Sequence, residues 1–148
     1  TSGNFGTIDL GSAANEASVL ARQILDGVTA EDLAYFPDNA IVIPDEGTVD
    51  LEGDTGLSAG VKDELEAIIG DCRAIFLFEE NYSPGNTTFF TISSMAGIRI
   101  MDVDLTGDLK YKKLVVQLCE ATMPGAIGDI DEQIGEDTTV FTPLILIE

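Results

Sequence analysis

The sequence predicts a single α+β domain: a mainly antiparallel sheet with about three helices packed on it and strand-like segments at its termini. The apolar residues of Thr88–Cys119 alternate with a period of two, which is typical of strands with one buried face. Earlier segments carry apolar residues at helical spacing instead. A chain of 148 residues, 45% of them hydrophobic, is long enough to bury one core.

The segment Thr88–Cys119 is predicted to form an antiparallel hairpin at the centre of the sheet, with a turn at Asp108–Lys110. The parity of its apolar positions changes after Ile100, which predicts a β-bulge near Ile100–Met101. The second limb, Leu114–Leu118, is apolar on both faces and is therefore predicted to be a central strand.

The N-terminal part of the chain predicts one strand and two helices. The strand covers Asn4–Leu10, and a first helix follows between Ser12 and Gly27. A second, short helix is predicted over Ala30–Phe36, because Thr29–Asp32 has the pattern of a capping box and a proline follows. The first helix has an apolar stripe at helical spacing, formed by Ala17, Leu20, Ala21, Ile24 and Val28.

The middle of the chain predicts shorter elements. Ala40–Ile43 and Thr48–Leu51 are expected to be two small strands joined by a turn. A third helix is predicted over Ala59–Ile69 and a buried strand over Ala74–Phe78. Glu79–Asn86 is polar and is predicted to be a loop.

The C-terminal part predicts a division into a domain over residues 1–123, a linker over 124–137 and a terminal strand over 138–148. The linker is rich in glycine and acidic residues. The terminal stretch, TTVFTPLILIE, is apolar on both faces, and each large side chain left in water would cost about 1.5–3 kcal/mol. It must therefore complete a sheet, its own or a neighbour's, and the sequence leaves both open. As a donor strand it would contribute Val140, Phe141, Leu144, Ile145, Leu146 and Ile147, with Asn4–Leu10 as the second candidate donor.

The charge composition limits the partners. The chain has 27 acidic and 7 basic residues, no histidine and a formal net charge of −20, so nucleic acid and anionic membranes would repel it. No apolar run reaches the roughly 20 residues that span a bilayer, and we expect no membrane insertion. No signal peptide is evident, and a chain beginning at Thr1 is expected to be a processed or truncated product.

Two cysteines, Cys72 and Cys119, lie at the edges of predicted strands. An even number suits a disulfide in an oxidising compartment, with two buried free thiols as the alternative. A metal site is disfavoured, because two thiols without histidine supply only half of a zinc shell.

No catalytic residue is assigned, and we expect no enzyme. Gly56–Gly60 matches the G-x-S-x-G pattern of a nucleophile elbow, but no buried strand precedes it and the chain has no histidine to act as the base. Ser58 is instead predicted to cap a helix. No pair of carboxylates stands out for glycoside hydrolysis.

Acidic clusters raise the question of calcium. Asp50–Asp54 and Asp102–Thr106 resemble the start of an EF-hand loop, but neither has the acidic twelfth residue that the loop needs. In the linker, Asp129, Asp131 and Glu132 could surround an ion. We expect no cofactor, with calcium at these three linker residues as the alternative.

Two N-glycosylation sequons fall in one polar segment, at Asn81–Ser83 and Asn86–Thr88. Pro84 weakens the first. A glycan on Asn81 or Asn86 is expected only if the chain is exported through a glycosylating route.

Four segments carry a resemblance to a known family. They are similar, in order, to segments of bacterial TadE/TadG-like Flp pilus-assembly proteins: Asn4–Gly11, Ala21–Val28, Gly56–Gly70 and Ala96–Gly107. In that family this region typically follows an N-terminal membrane-anchoring helix and lies outside the cytoplasm. The resemblance implies an extracytoplasmic location and supplies no catalytic residues. This sequence lacks the anchor and adds the apolar C-terminal stretch.

Together these observations predict a structural protein, the repeating subunit of an extracellular filament or pilus on the cell surface. Its main partner would be a second copy of itself, joined head to tail by a donated terminal strand. A monomeric, calcium-dependent binding module of the cell envelope is the alternative.

Overall fold

The computed structural model describes residues 5–11, 16–120, 126–127 and 141–147. It confirms an α+β fold with three helices and a mostly antiparallel sheet. The helices are α1 (Ala17–Asp26), α2 (Ala30–Leu33) and α3 (Lys62–Ala67). The strands are β1 (Phe5–Ile8), β2 (Ile41–Val42), β3 (Val49–Thr55), β4 (Cys72–Tyr82), β5 (Thr88–Asp104), β6 (Lys113–Leu118), β7 (Ala126–Ile127) and β8 (Phe141–Ile147).

The main sheet closes on itself. Its six strands follow the order β3-β1-β8-β4-β5-β6, and β3 also pairs with β5. Five strands therefore form a ring, and β6 pairs with the part of β5 that extends beyond it. Every pairing is antiparallel except that of β8 with β4.

Strand β5 contributes side chains to two hydrophobic cores. Two irregularities along the strand change which of its residues face each core. Its first part packs Phe90 and Ile92 against β1, β3 and β4 in one cluster. An extra residue at Ser93 shifts the register with β4, and Ile98 and Ile100 then belong to a second cluster under the helices. The predicted bulge near Ile100–Met101 is confirmed, because the register with β6 shifts between Ile100 and Asp102.

Helices α1 and α3 cover the second cluster, whereas α2 contributes Leu33 to the first. Helix α1 buries Leu20 and Ile24 of its predicted stripe and α3 buries Leu65, whereas Ala17 of that stripe is exposed and Val28, beyond the end of α1, packs in the first cluster. The capping box at Thr29–Asp32 is confirmed. Helices α2 and α3 are shorter than predicted, since α2 ends at Leu33 and a 3-10 turn precedes α3.

The two small strands predicted at Ala40–Ile43 and Thr48–Leu51 are present as β2 and β3, but they do not pair with each other across the turn between them. Strand β3 uses its edges for β5 and β1, and β2 pairs with β7 instead. The predicted linker over 124–137 therefore contains a short strand, Ala126–Ile127. Its other residues lie outside the described part of the chain.

Two further predictions on the sheet are wrong. Leu114–Leu118 is not central, because β6 pairs with β5 alone among the described strands and Leu118 is 80% exposed. Glu79–Asn86 is not all loop, because β4 continues to Tyr82 and pairs there with Phe89 on β5. The pattern of apolar residues shows what can be buried, but it does not show where a sheet ends.

Candidate functional site

The terminal strand β8 lies in the middle of the ring, between β1 and β4. It runs antiparallel to β1, with Phe5 opposite Leu146 and Thr7 opposite Leu144. It runs parallel to β4, from Ala74 opposite Phe141 to Phe78 opposite Ile147. We call the space between the facing edges of β1 and β4 the acceptor groove.

The N-terminal strand β1 forms one wall of the acceptor groove and is held there by β3. Gly53 of β3 lies opposite Ile8, and an added Cβ at Gly53 would collide with the carbonyl oxygen of Thr7. A glycine is thus required for this close approach. With one edge of β1 paired to β3, its other edge is available to β8.

The proline in β8 falls where the ladder is irregular. Ala74 is opposite Phe141, but two residues later Phe76 is opposite Ile145, so β8 has extra residues around Pro143. Pro143 has no N–H to donate, and an irregularity is where a strand tolerates it.

The acceptor groove buries the centre of β8. Leu144 is 2% exposed and packs in the cluster between the sheet and the helices, with Leu20 and Ile24 of α1. Of the predicted donor residues, Phe141, Leu144, Ile145, Leu146 and Ile147 all lie in β8, whereas Val140 is outside the described residues. In the structure of a single chain, β8 fills the groove of its own sheet.

The chain that leads to β8 leaves the sheet at the disulfide. Cys72 at the start of β4 and Cys119 after β6 are bonded, with their Cα atoms 6.2 Å apart, which confirms the predicted pairing. The Cys119 backbone N–H also donates to the Gly97 carbonyl on β5. The bond therefore fastens the end of the edge strand β6 to β4, and residues 121–140, which we call the connecting segment, follow it.

Two aspartates of the predicted acidic clusters, Asp50 and Asp104, form hydrogen bonds with neighbouring residues. Asp50 accepts hydrogen bonds from the hydroxyls of Tyr82 (3.0 Å) and Thr91 (2.9 Å), and the bond to Asp50 raises the pKa of Tyr82. Asp104 accepts from the Thr106 hydroxyl at 2.6 Å and from its backbone N–H, and these bonds lower the pKa of the Asp104 carboxyl.

Among the residues that the structure describes, no group of three or more acidic or cysteine side chains could hold a metal ion. Asp129, Asp131 and Glu132 lie outside those residues, so calcium there stays a prediction. The two sequon asparagines, Asn81 and Asn86, are exposed at the end of the β4–β5 hairpin.

The G-x-S-x-G segment is a helix cap. Ser58 Oγ accepts a hydrogen bond from the Gly60 backbone N–H at 3.1 Å, at the start of the 3-10 turn before α3. This confirms the capping role predicted for Ser58. None of the helices that the structure describes has the length and apolar character needed to cross a bilayer.

Comparisons of the chain with protein-family models, with curated proteins and with solved structures find no match. The resemblance to TadE/TadG-like proteins therefore stays a prediction. The sequence predicted the terminal strand by its apolar character, but it did not predict that β1 and β4 flank it. Two features of the sequence were available to predict these neighbours, namely Gly53 and the small residues near β4. Glycine and small residues occur in many other settings, so neither feature is specific.

Proposed function

We propose that this protein is a structural subunit of an extracellular filament, in which the terminal strand β8 of one copy fills the acceptor groove of the next. The observation that supports this most is the position of β8. It is last in the chain but central in the ring, with β1 on one side and β4 on the other. The subunit thus has a groove and, on a long tether, a strand that fits it.

Strand β8 pairs with residues that are farther from it in sequence than in any other strand pair of the main sheet. Phe5 and Leu146 face each other across the groove although they lie near opposite ends of the chain. Contacts of this kind pay the largest loop-closure entropy and form late. The β4–β5–β6 meander and the β1–β3 pair involve shorter separations. We therefore expect the acceptor groove to be open when β8 arrives, and open edges accept a strand from either source.

The connecting segment is long enough to reach a neighbour. Residues 121–140 could extend over roughly 66 Å, at about 3.3 Å per residue. A chain of this length has a radius of gyration of about 15 Å when folded. If β7 stays paired with β2, residues 128–140 still reach over about 40 Å. Both lengths exceed the radius of gyration of one folded subunit, which supports reach to a groove on an adjacent copy.

Strand exchange of this kind can be repeated from each copy to the next. The donor and the acceptor are different surfaces, so the contact is heterologous and generates an open fibre unless the rotation closes it into a ring. The disulfide suits an oxidising compartment outside the cytoplasm. The disulfide would also keep β6 from separating from the sheet when tension acts on the connecting segment. The reason is that it bonds Cys119, which follows β6, covalently to β4.

A peptide that competes for the groove tests this function. The full chain is refolded from denaturant with an increasing excess of a synthetic peptide corresponding to residues 138–148. We expect the mean mass of the assemblies, measured by multi-angle light scattering and checked by negative-stain microscopy, to fall towards that of one subunit. The peptide would fill acceptor grooves and end each fibre.

The matched control is the same peptide with Leu144→Asp. Because Leu144 is buried between the sheet and the helices, a charge there prevents docking, and the assemblies should keep their mass. Assemblies unaffected by the natural peptide, or a chain that stays monomeric at every concentration, would contradict the proposal.

A further inference from the structure

An acidic cleft of about 600 Å³ lies beside the first residues of β3, where the predicted β2–β3 hairpin fails to form. Four acidic residues line it, Asp9, Asp38, Asp50 and Glu52, and none of the described residues that line it is basic. Tyr35 stands at its rim and is 64% exposed. The cleft thus combines negative charge with an accessible aromatic ring, which suits a partner that is both cationic and apolar.

The turn between β5 and β6 has the opposite character. Lys110, Lys112 and Lys113 contribute three of the 7 basic residues in a chain of net charge −20. Between them, Tyr111 is 65% exposed, and the Lys110 ammonium lies 4.7 Å from the centre of its ring. We call Lys110–Lys113 the lysine tip.

The lysine tip and the acidic cleft lie at opposite ends of β3. The cleft adjoins the start of the strand, Val49–Glu52. The tip is fixed beyond its end, because the Lys112 ammonium donates to the carbonyl of Leu57 at 2.8 Å. The cleft extends along β3 to Glu52, about 10 Å from the end of the strand, and no residue of the lysine tip lines it within the same chain.

We propose that the lysine tip of one copy docks into the acidic cleft of the next. Tyr111 would pack beside Tyr35 and the apolar floor, while the lysines would face Asp38 and Glu52. Both are exposed, as is Asp50, whose carboxylate already accepts hydrogen bonds from Tyr82 and Thr91. Complementary charge favours this alignment over others between molecules that otherwise repel. The inference rests on the proposed assembly of copies of this chain, since it names a second head-to-tail contact for it.

The test separates this contact from strand exchange by locking β8 in place. Phe5 and Leu146 are opposite each other on neighbouring antiparallel strands, a spacing that a disulfide can bridge. Oxidation of the Phe5→Cys/Leu146→Cys chain is followed by isolation, in denaturant, of the monomer that is cross-linked within itself, and this locked chain cannot donate its terminal strand. We expect this locked chain still to self-associate, with an association constant measurable by sedimentation velocity over a range of concentrations.

Reversing the charge of the tip should abolish most of that association. Lys110→Glu with Lys113→Glu in the locked chain should lower the association constant at least tenfold, because attraction at the cleft becomes repulsion. The matched control, Lys62→Glu with Arg99→Glu, changes the net charge equally at two other exposed or partly exposed cations and should stay within twofold of the locked parent.

Mixing provides a specific readout. Locked Glu52→Lys chains, whose cleft is reversed, should associate weakly alone, but they should bind the tip-reversed chains in an equimolar mixture. A locked parent that stays monomeric, a control that weakens association as much as the tip variant, or a mixture that does not associate would each overturn the proposed contact. Strand exchange is judged separately, by the peptide competition in the unlocked chain.

Discussion

At the scale of single residues, Asp32 is a buried charged group at the junction of two helices of the N-terminal half. It is buried, and its carboxylate accepts from Arg22 at 2.5 Å and from the Thr29 backbone N–H at 2.9 Å. Burial alone would raise the pKa of Asp32. The hydrogen bonds from Thr29, Arg22 and Gln23 outweigh it, so the pKa lies below its usual value. The side chain thereby joins α1 to the start of α2.

We predict that Asp32→Asn lowers the free energy of unfolding by about 1–3 kcal/mol at pH 7, because hydrogen bonds to a charged acceptor are lost. A carboxyl whose pKa is lowered by folding contributes stability above its unfolded pKa, about 3.9, and loses it as pH falls through the folded pKa. The difference between the two proteins in urea denaturation should therefore be full at pH 7 and shrink below about pH 4.

The matched control for this substitution is Asp26→Asn. Asp26 is an exposed aspartate at the end of α1, and its replacement should leave stability within about 0.5 kcal/mol of the parent. A difference between Asp32→Asn and the parent that does not change with pH would show that the carboxylate charge is not what stabilises this junction.

At the scale of elements, local pattern predicted the strands and helices better than their partners. The bulge near Ile100 was predictable because apolar residues change parity there. The irregularity at Ser93 was not, since the small residues around it, Ser94, Ala96 and Gly97, do not reveal which face is buried. The pairing of β2 with β7 was also missed, because two-residue strands leave almost no periodic signal.

Of the candidate site, the sequence predicted only the terminal strand. The apolar stretch over 138–148 identifies a strand that must be covered, whatever covers it. Its position between β1 and β4 depends on which edges remain free after the rest of the sheet forms, and no local pattern encodes that. The acidic cleft has the same origin: it exists because β2 and β3, adjacent in sequence, do not pair.

The disulfide should stabilise the β4–β5–β6 unit through the chain it closes. The bonded cysteines are 47 residues apart, and the loop-closure estimate for such a separation is about 4 kcal/mol. We expect Cys72→Ser with Cys119→Ser to reduce the free energy of unfolding by about 2–4 kcal/mol in urea denaturation. The oxidised parent is compared with the same parent under reducing conditions, which should lose a similar amount. A double variant as stable as the oxidised parent would show that the disulfide does not contribute to the free energy of unfolding.

At the scale of the whole molecule, the fold is a ring with one strand taken from the far end of the chain. Removing β8 would leave two unpaired edges and an uncovered core position at Leu144. The chain therefore needs a strand in the acceptor groove. In the structure its own β8 fills that place, and we propose that another copy can supply the strand instead. In the proposed assembly, the chain itself and another copy are two sources of the same contacts, with almost the same local energy.

One measurement distinguishes those sources directly. Chains that carry only Phe5→Cys and chains that carry only Leu146→Cys, with different affinity tags, are mixed in denaturant, refolded together and oxidised. A strand donated between copies places the two new cysteines opposite each other, so we predict a covalent dimer that contains both tags on a non-reducing gel. Chains with cysteines at both positions should give a ladder. If the mixture yields no two-tag product while the doubly substituted chain closes only within itself, the terminal strand stays in its own subunit and strand exchange is contradicted.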